Sequence, residues 1–270
     1  MTEKKPVFPK RREQKLLYDL TELKLWYVFD LVAAGRLDFE AALLSQTTFY
    51  GLLPWFLSPP EKDTPQADQP LWRALVERLR PIHAAHAADR RAAAFCREAA
   101  AVVFPLALAA DIRHRMTNRE EWFGCFRYDY TPENRLLRLH FKNAYVPDSP
   151  FADPARLFRT LAEMIRDLEA RGYAPESVTC GSWIHHLRPF QALFPASYLA
   201  SLTPTSPDSK TGDGWWGQFT SRQGTLHRRR AKILKREGRF EFDRLSGRCP
   251  YRDYREHIMA HLHLKDGAGG

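Results

Sequence analysis

Cysteine is scarce in this 270-residue chain, and the four present, Cys96, Cys125, Cys180 and Cys249, lie far apart with no Cys-x-x-Cys pair. That argues against a cysteine zinc ribbon or a disulfide scaffold and reads as free thiols in a cytoplasmic setting. Long apolar runs are also missing. The longest, residues 99–110, contains Pro105 and falls well short of the ~20 residues a bilayer span needs, so no membrane association is expected. The basic start lacks an uninterrupted apolar segment and a small-residue cleavage site, so no secretory signal is expected. No internal repeat is visible. What is present is 44% hydrophobic, 13% aromatic and 27% charged residues. This is too apolar for general disorder and sufficient to bury a core without metal or disulfide.

Positive charge is unevenly spread. The formal net charge is +9, and residues 220–270 hold 13 Lys and Arg against 6 Asp and Glu, which is +7 of it. The densest stretch runs from His227 through Arg228, Arg229 and Arg230 to Arg236. Such a field attracts phosphate groups of a nucleotide, coenzyme A or nucleic acid, or an acidic protein; it equally suits a solvated helix face.

Apolar spacing predicts helices over 13–34, from Asp38 toward Pro54, over 71–79 and over 82–116, with Pro105 kinking or dividing the last. A proline-rich loop over 58–70 separates them, and Trp26, Trp55 and Trp72 are expected inside this helical layer. Alternation then predicts a hairpin, 125–130 and 137–141, turning at Thr131-Pro132-Glu133-Asn134. Further on come a helix over 154–171, a strand over 177–184, a short helix over 189–202 broken by Pro195 and a strand over 215–220. A helix over 224–236 closed by Gly238, a strand over 240–242 and a helix over 251–262 complete the reading. The expected fold is α+β: a basic lead-in (1–12), a helical region (13–120) packed on a mixed sheet with flanking helices (121–263), and a flexible tail (264–270).

Three blocks carry candidate chemistry. Asn143, Asp148 and Ser149 leave a strand end and enter a helix, a place where open sheets bind ligands, although Asp148 or Asp153 there equally reads as a cap. Cys180 and Ser182 share one strand face, with Trp183 on the other and His185-His186 following; a thiol or hydroxyl near an imidazole is the material of a nucleophile. No Gly-x-Ser-x-Gly elbow accompanies them. Trp215, Trp216 and Gln218 follow glycines on a presumed strand, so that one tryptophan fills the core and its neighbour lines a groove. His227 is the candidate general base, and Arg228, Arg229 and Arg230 the candidate phosphate contacts. The pairs His83/His86, His185/His186 and His261/His263 lack zinc spacing, and no metal is expected.

The blocks Leu139-His140-Phe141-x-Asn143, 147–151, Gly181-Ser182-Trp183, Leu193-Phe194-Pro195 and 214–219 resemble a set of uncharacterised bacterial proteins. Their order over about residues 122–260 also resembles the C-terminal part of GNAT-like acyltransferase domains. The resemblance implies acyl-CoA as a cosubstrate, with no permanently bound cofactor. The Q/R-x-x-G-x-G/A loop by which those enzymes hold the CoA pyrophosphate is absent here. The expected function is therefore an acyltransferase-like enzyme binding acyl-CoA or a related phosphorylated ligand. Its alternative is a non-enzymatic module whose basic C-terminal surface engages nucleic acid, the less favoured partner, or an acidic protein.

Overall fold

A computed structural model describes residues 8–55, 64–117 and 121–266. Most of the basic lead-in, much of the proline-rich loop, the expected boundary at 120 and the end of the tail lie outside the described residues. So do the side chains of Trp55 and His263. The chain forms two compact units, Met1–Asn118 with Ser206–Glu241, and Arg119–Thr205 with Phe242–Gly270.

In the first unit, α1 (Arg11–Ala33) packs with α4 (Ala92–Thr117), and α2 (Phe39–Gln46) and α3 (Pro70–Ala87) complete the layer. Asp38 caps α2 by accepting the Ala41 N–H at 2.9 Å, which satisfies an otherwise orphaned donor. Helix α3 runs through Pro81, although the sequence predicts a break there, and the real break comes at 88–91, where Arg90 takes φ 50°. Pro105 likewise does not divide α4. A proline in a helix interior costs ~3 kcal/mol. Burial offsets it here: Leu75, Val76 and Leu79 in α3, and Phe95, Ala99, Ala100 and Val103 in α4, fill one core with Trp72. Trp26 is only half-buried. By length and composition α4 is apolar enough to cross a bilayer, and a third of that stretch is buried.

Residues 206–241 correct two expected strands. Residues 215–220 are not extended: α8 (Asp213–Trp216) runs into a 3₁₀ turn, Gly217–Phe219. Coiling carries Trp215, Trp216 and Phe219 together into a cluster with Tyr27 and Phe240, where a strand would send one tryptophan outward. Trp216 Nε1–H donates to the Lys210 carbonyl at 2.8 Å. Residues 240–242 form no strand either, and Phe240 joins the same cluster. Helix α9 (Arg228–Glu237) begins four residues later than expected and ends at Gly238, whose φ of 62° lets its N–H reach the Leu234 carbonyl.

The second unit is α+β. Its five-stranded mixed sheet has the order β1-β2-β3-β5-β4, from β1 (Phe126–Thr131), β2 (Leu136–Phe141), β3 (Ser177–Ser182), β4 (Thr203–Pro204) and β5 (Leu245–Pro250). Only β2 and β3 run parallel; β1 with β2, β3 with β5 and β4 with β5 are antiparallel. The β1–β2 hairpin forms as expected, with Arg135 at φ 48° closing its turn. Helix α5 (Pro154–Ala170), capped by Asp153, presents Leu157, Leu161, Met164, Ile165 and Leu168 to the sheet. The short helices α6 (Arg188–Gln191) and α7 (Ala196–Ala200) flank Pro195, and α10 (Tyr251–Asp266) extends into the expected tail.

One face of this sheet is closed and the other is not. Phe126, Leu137, Leu139, Val178, Cys180 and Cys249 alternate onto the face covered by the apolar side of α5 and by Tyr254 and Ile258 of α10. The intervening residues, Arg127, Asp129, Arg138, His140, Thr179, Gly181 and Arg248, take the opposite face by the same register. These are half-buried or exposed, while Ser177 on the same face is buried and its Oγ accepts from Arg248 at 2.7 Å.

Candidate functional site

The residues singled out in the sequence divide between the two units. Trp215, Trp216, Gln218, His227, Arg228, Arg229 and Arg230 belong to the first, and Asn143, Asp148, Ser149, Cys180, Ser182 and Trp183 to the second. In the first unit several of these groups are held by the fold itself. Gln218 is fully buried and donates to the Trp215 carbonyl. His227 is the N-cap of α9, its Nδ1 accepting the Arg230 N–H at 3.4 Å. Burial first, and then Arg230, lower its pKa, so the ring is neutral near pH 7. Arg230 is buried, bonding Glu241 at 3.0 Å and the Gln218 carbonyl at 2.9 Å. Arg229 shares the same carboxylate, and Arg228 is exposed.

In the second unit, β2 and β3 run parallel, so the loop after β2 and the turn after β3 emerge at the same end of the sheet. The polar groups there are largely spent on the chain itself. Asn143 bonds the Asp148 carbonyl at 3.0 Å and the Tyr145 N–H at 2.9 Å. Ser149 Oγ accepts the Phe151 N–H at 3.3 Å, and Ser182 Oγ accepts the Ile184 N–H at 3.3 Å. At this end Phe141 stacks on Phe151 at 5.9 Å, and Phe190 meets both rings edge-on at 5.2 and 6.5 Å. Cys180 is buried, and desolvation pushes its thiol up to about 12, which leaves no thiolate at neutral pH. His185 is also buried, between the Ser182 carbonyl and the Tyr198 hydroxyl at 3.0 Å each, and burial lowers it to about 4. Trp183 stacks on Phe242 at 6.0 Å, with His186 on the same ring at 4.9 Å. No group of three potential metal ligands occurs among the described residues.

The open sheet face holds a set the sequence reading passed over. Arg127, Arg138 and Arg248 stand on three different strands, and the Arg244 guanidinium lies against Gly181 on the same face. A Cβ at Gly181 would sit 2.1 Å from its Nη2, so only glycine leaves the guanidinium this place. Lys142 follows β2, its Nζ over the Trp122 ring at 3.6 Å. Against these five cations the four longer strands place one carboxylate on the face, Asp129. His140 Nε2 sits 2.6 Å from Asp129 Oδ2, and Arg127 lies 3.7 Å from the same oxygen. Burial first, then Arg127, lower the His140 pKa; Asp129 opposes that shift. The hairpin register was the available signal: its predicted turn already brings Asp129 and His140 to neighbouring strands.

A cleft of about 340 Å³ lies beside this face, along β1. Its walls include Glu121, Arg171 and Tyr173 on the helix side and Arg127 and Asp129 on the polar side. Tyr173 stacks on Tyr130 at 4.8 Å. Tyr128 donates to Asp167 at 2.8 Å, and Arg171 bridges Asp167 and Glu121. Compared with known proteins, the chain matches no protein family, no curated protein and no solved structure.

Proposed function

We propose that the chain binds a phosphorylated small molecule, acyl-CoA foremost, on the open face of the C-terminal sheet. The observation that carries this reading is the gathering of Arg127, Arg138, Arg244 and Arg248 on a face to which the four longer strands bring one carboxylate, Asp129. Guanidinium groups bond phosphate oxygens in pairs and keep their charge at any working pH. Sequence likeness to GNAT-like acyltransferase domains makes CoA the first ligand to test and acyl transfer the first activity. On that face His140, neutral and paired with Asp129, is the group that suits a general base. Without turnover, the same basic face suits the non-enzymatic reading, in which it engages nucleic acid or an acidic protein.

Melting curves with CoA, acetyl-CoA, ATP and pyrophosphate test it, because a ligand that binds only the native state raises Tm by mass action. A saturable rise is expected, lost in the double variant Arg138→Glu/Arg248→Glu. If none of the four shifts Tm at low salt, the reading falls. A response to oligonucleotides alone, with a steep salt slope, moves the assignment to nucleic acid.

A further inference from the structure

We infer that the outer edge of β1 is a docking site for an extended peptide, which adds to the sheet as a further strand. The peptide has the pattern apolar–basic–apolar–acidic. The inference concerns the strand edge and does not rest on the phosphate-binding reading.

Strand β1 ends the sheet order. In an antiparallel pair, alternate residues turn their N–H and C=O toward the partner strand and the others turn them away. The Lys142 N–H bonds the Cys125 carbonyl at 2.9 Å, so Cys125, Arg127, Asp129 and Thr131 face β2 and Phe126, Tyr128 and Tyr130 face outward. Phe126 spends both its groups on Phe123, at 2.8 Å each. For Tyr128 and Tyr130 the described residues supply no backbone partner. Two N–H and two C=O groups, at strand spacing, therefore face outward along this edge, on two residues that line the cleft. An exposed strand edge is a template for another chain, and β1 contains no proline to blunt it.

The cleft walls set the side-chain pattern. On the helix side the wall is preformed, since Asp167 fixes both the Tyr128 hydroxyl and Arg171, and Tyr173 lies against Tyr130. Tyr173 is 38% exposed, one of two large hydrophobic residues so exposed among those described. An antiparallel segment that bonds Tyr130 and Tyr128 with its first and third residues turns those two side chains toward the tyrosines, which suits apolar groups. Its second residue falls opposite Asp129 and its fourth opposite Arg127, on the polar side. Opposite charges across strands stabilise and like charges directly opposed destabilise, so the second position takes Lys or Arg and the fourth Asp or Glu. A second copy of β1 is the poorer occupant. Engaging the same four groups of Tyr128 and Tyr130 sets Asp129 against Asp129 of the other copy.

The test is fluorescence anisotropy of the full chain with a labelled hexapeptide, Thr-Val-Lys-Val-Glu-Thr, and its charge-swapped form, Thr-Val-Glu-Val-Lys-Thr. Saturable binding is expected, with at least a fivefold preference for the first. The double variant Arg127→Glu/Asp129→Lys should reverse that preference. N-methylation of both valine amides should abolish binding to the unaltered chain, and this arm decides if the variant does not fold. Equal binding of the two peptides, no binding, or indifference to N-methylation overturns the proposal. So does self-association of the chain that the peptide fails to compete.

Discussion

The two units treat positive charge in opposite ways. In the first, the centre of the densest basic run is consumed internally: Arg230 is buried on Glu241 and the Gln218 carbonyl, and Arg229 shares that carboxylate, while Arg228, Lys232, Lys235 and Arg236 stay exposed. In the second, arginines scattered over more than a hundred residues, at 127, 138, 244 and 248, collect on one sheet face. Charge density along a chain thus differs from charge gathered on one face. Helical packing spent Arg230 of the first set; strand alternation assembled the second.

Substitutions can break this contrast, the largest effect coming from the consumed charge. Arg230→Ala leaves Glu241 and the Gln218 carbonyl without their buried partner, and urea unfolding should show a loss of about 3 kcal/mol. An effect of similar size is expected from pH. His185 is held near about 4, below its ordinary 6.5, so between those values the unfolded chain binds the extra proton. Stability should therefore fall as pH drops from about 6.5 to about 4, by roughly 3 kcal/mol from this group, and be fully present above. Denaturation at pH 7 and pH 4.5 should show a shallower loss for His185→Gln. Asp153→Ala removes the α5 cap and should cost about 1 kcal/mol. Arg138→Ala, at an exposed site, should change stability by less than about 0.5 kcal/mol while weakening any phosphate ligand. If Arg230→Ala proved as harmless as Arg138→Ala, the distinction between consumed and available charge would be lost.

Much of the architecture was legible where local signals agreed. Helix α5 shows a 3.6-residue apolar stripe, Asp153 before it and Gly172 after it, and the hairpin has alternation on both sides of a proline turn. Other elements gave no such agreement. In β5 the inward positions are Leu245, Gly247 and Cys249, one large apolar residue and two small ones, too weak a pattern to announce a strand; pairing with β3 makes it one. Trp215-Trp216 looked extended because aromatic residues favour strands, but a helical turn buries both. Pro81 signalled a break that tertiary burial overrode, and Pro105 leaves its helix undivided. The arginine-bearing face was illegible for a different reason: its members come from separate strands and a loop, and only the sheet register puts them side by side.

All four cysteines are buried, Cys96 in the first unit and Cys125, Cys180 and Cys249 in the second. Burial also raises every one of these thiols, three of them to about 12. Each unit therefore carries its own silent reporter, unreactive toward alkylating reagents until the surrounding structure opens. Mass spectrometry of pulse-alkylated protein can then time the opening of either half separately, with no label introduced.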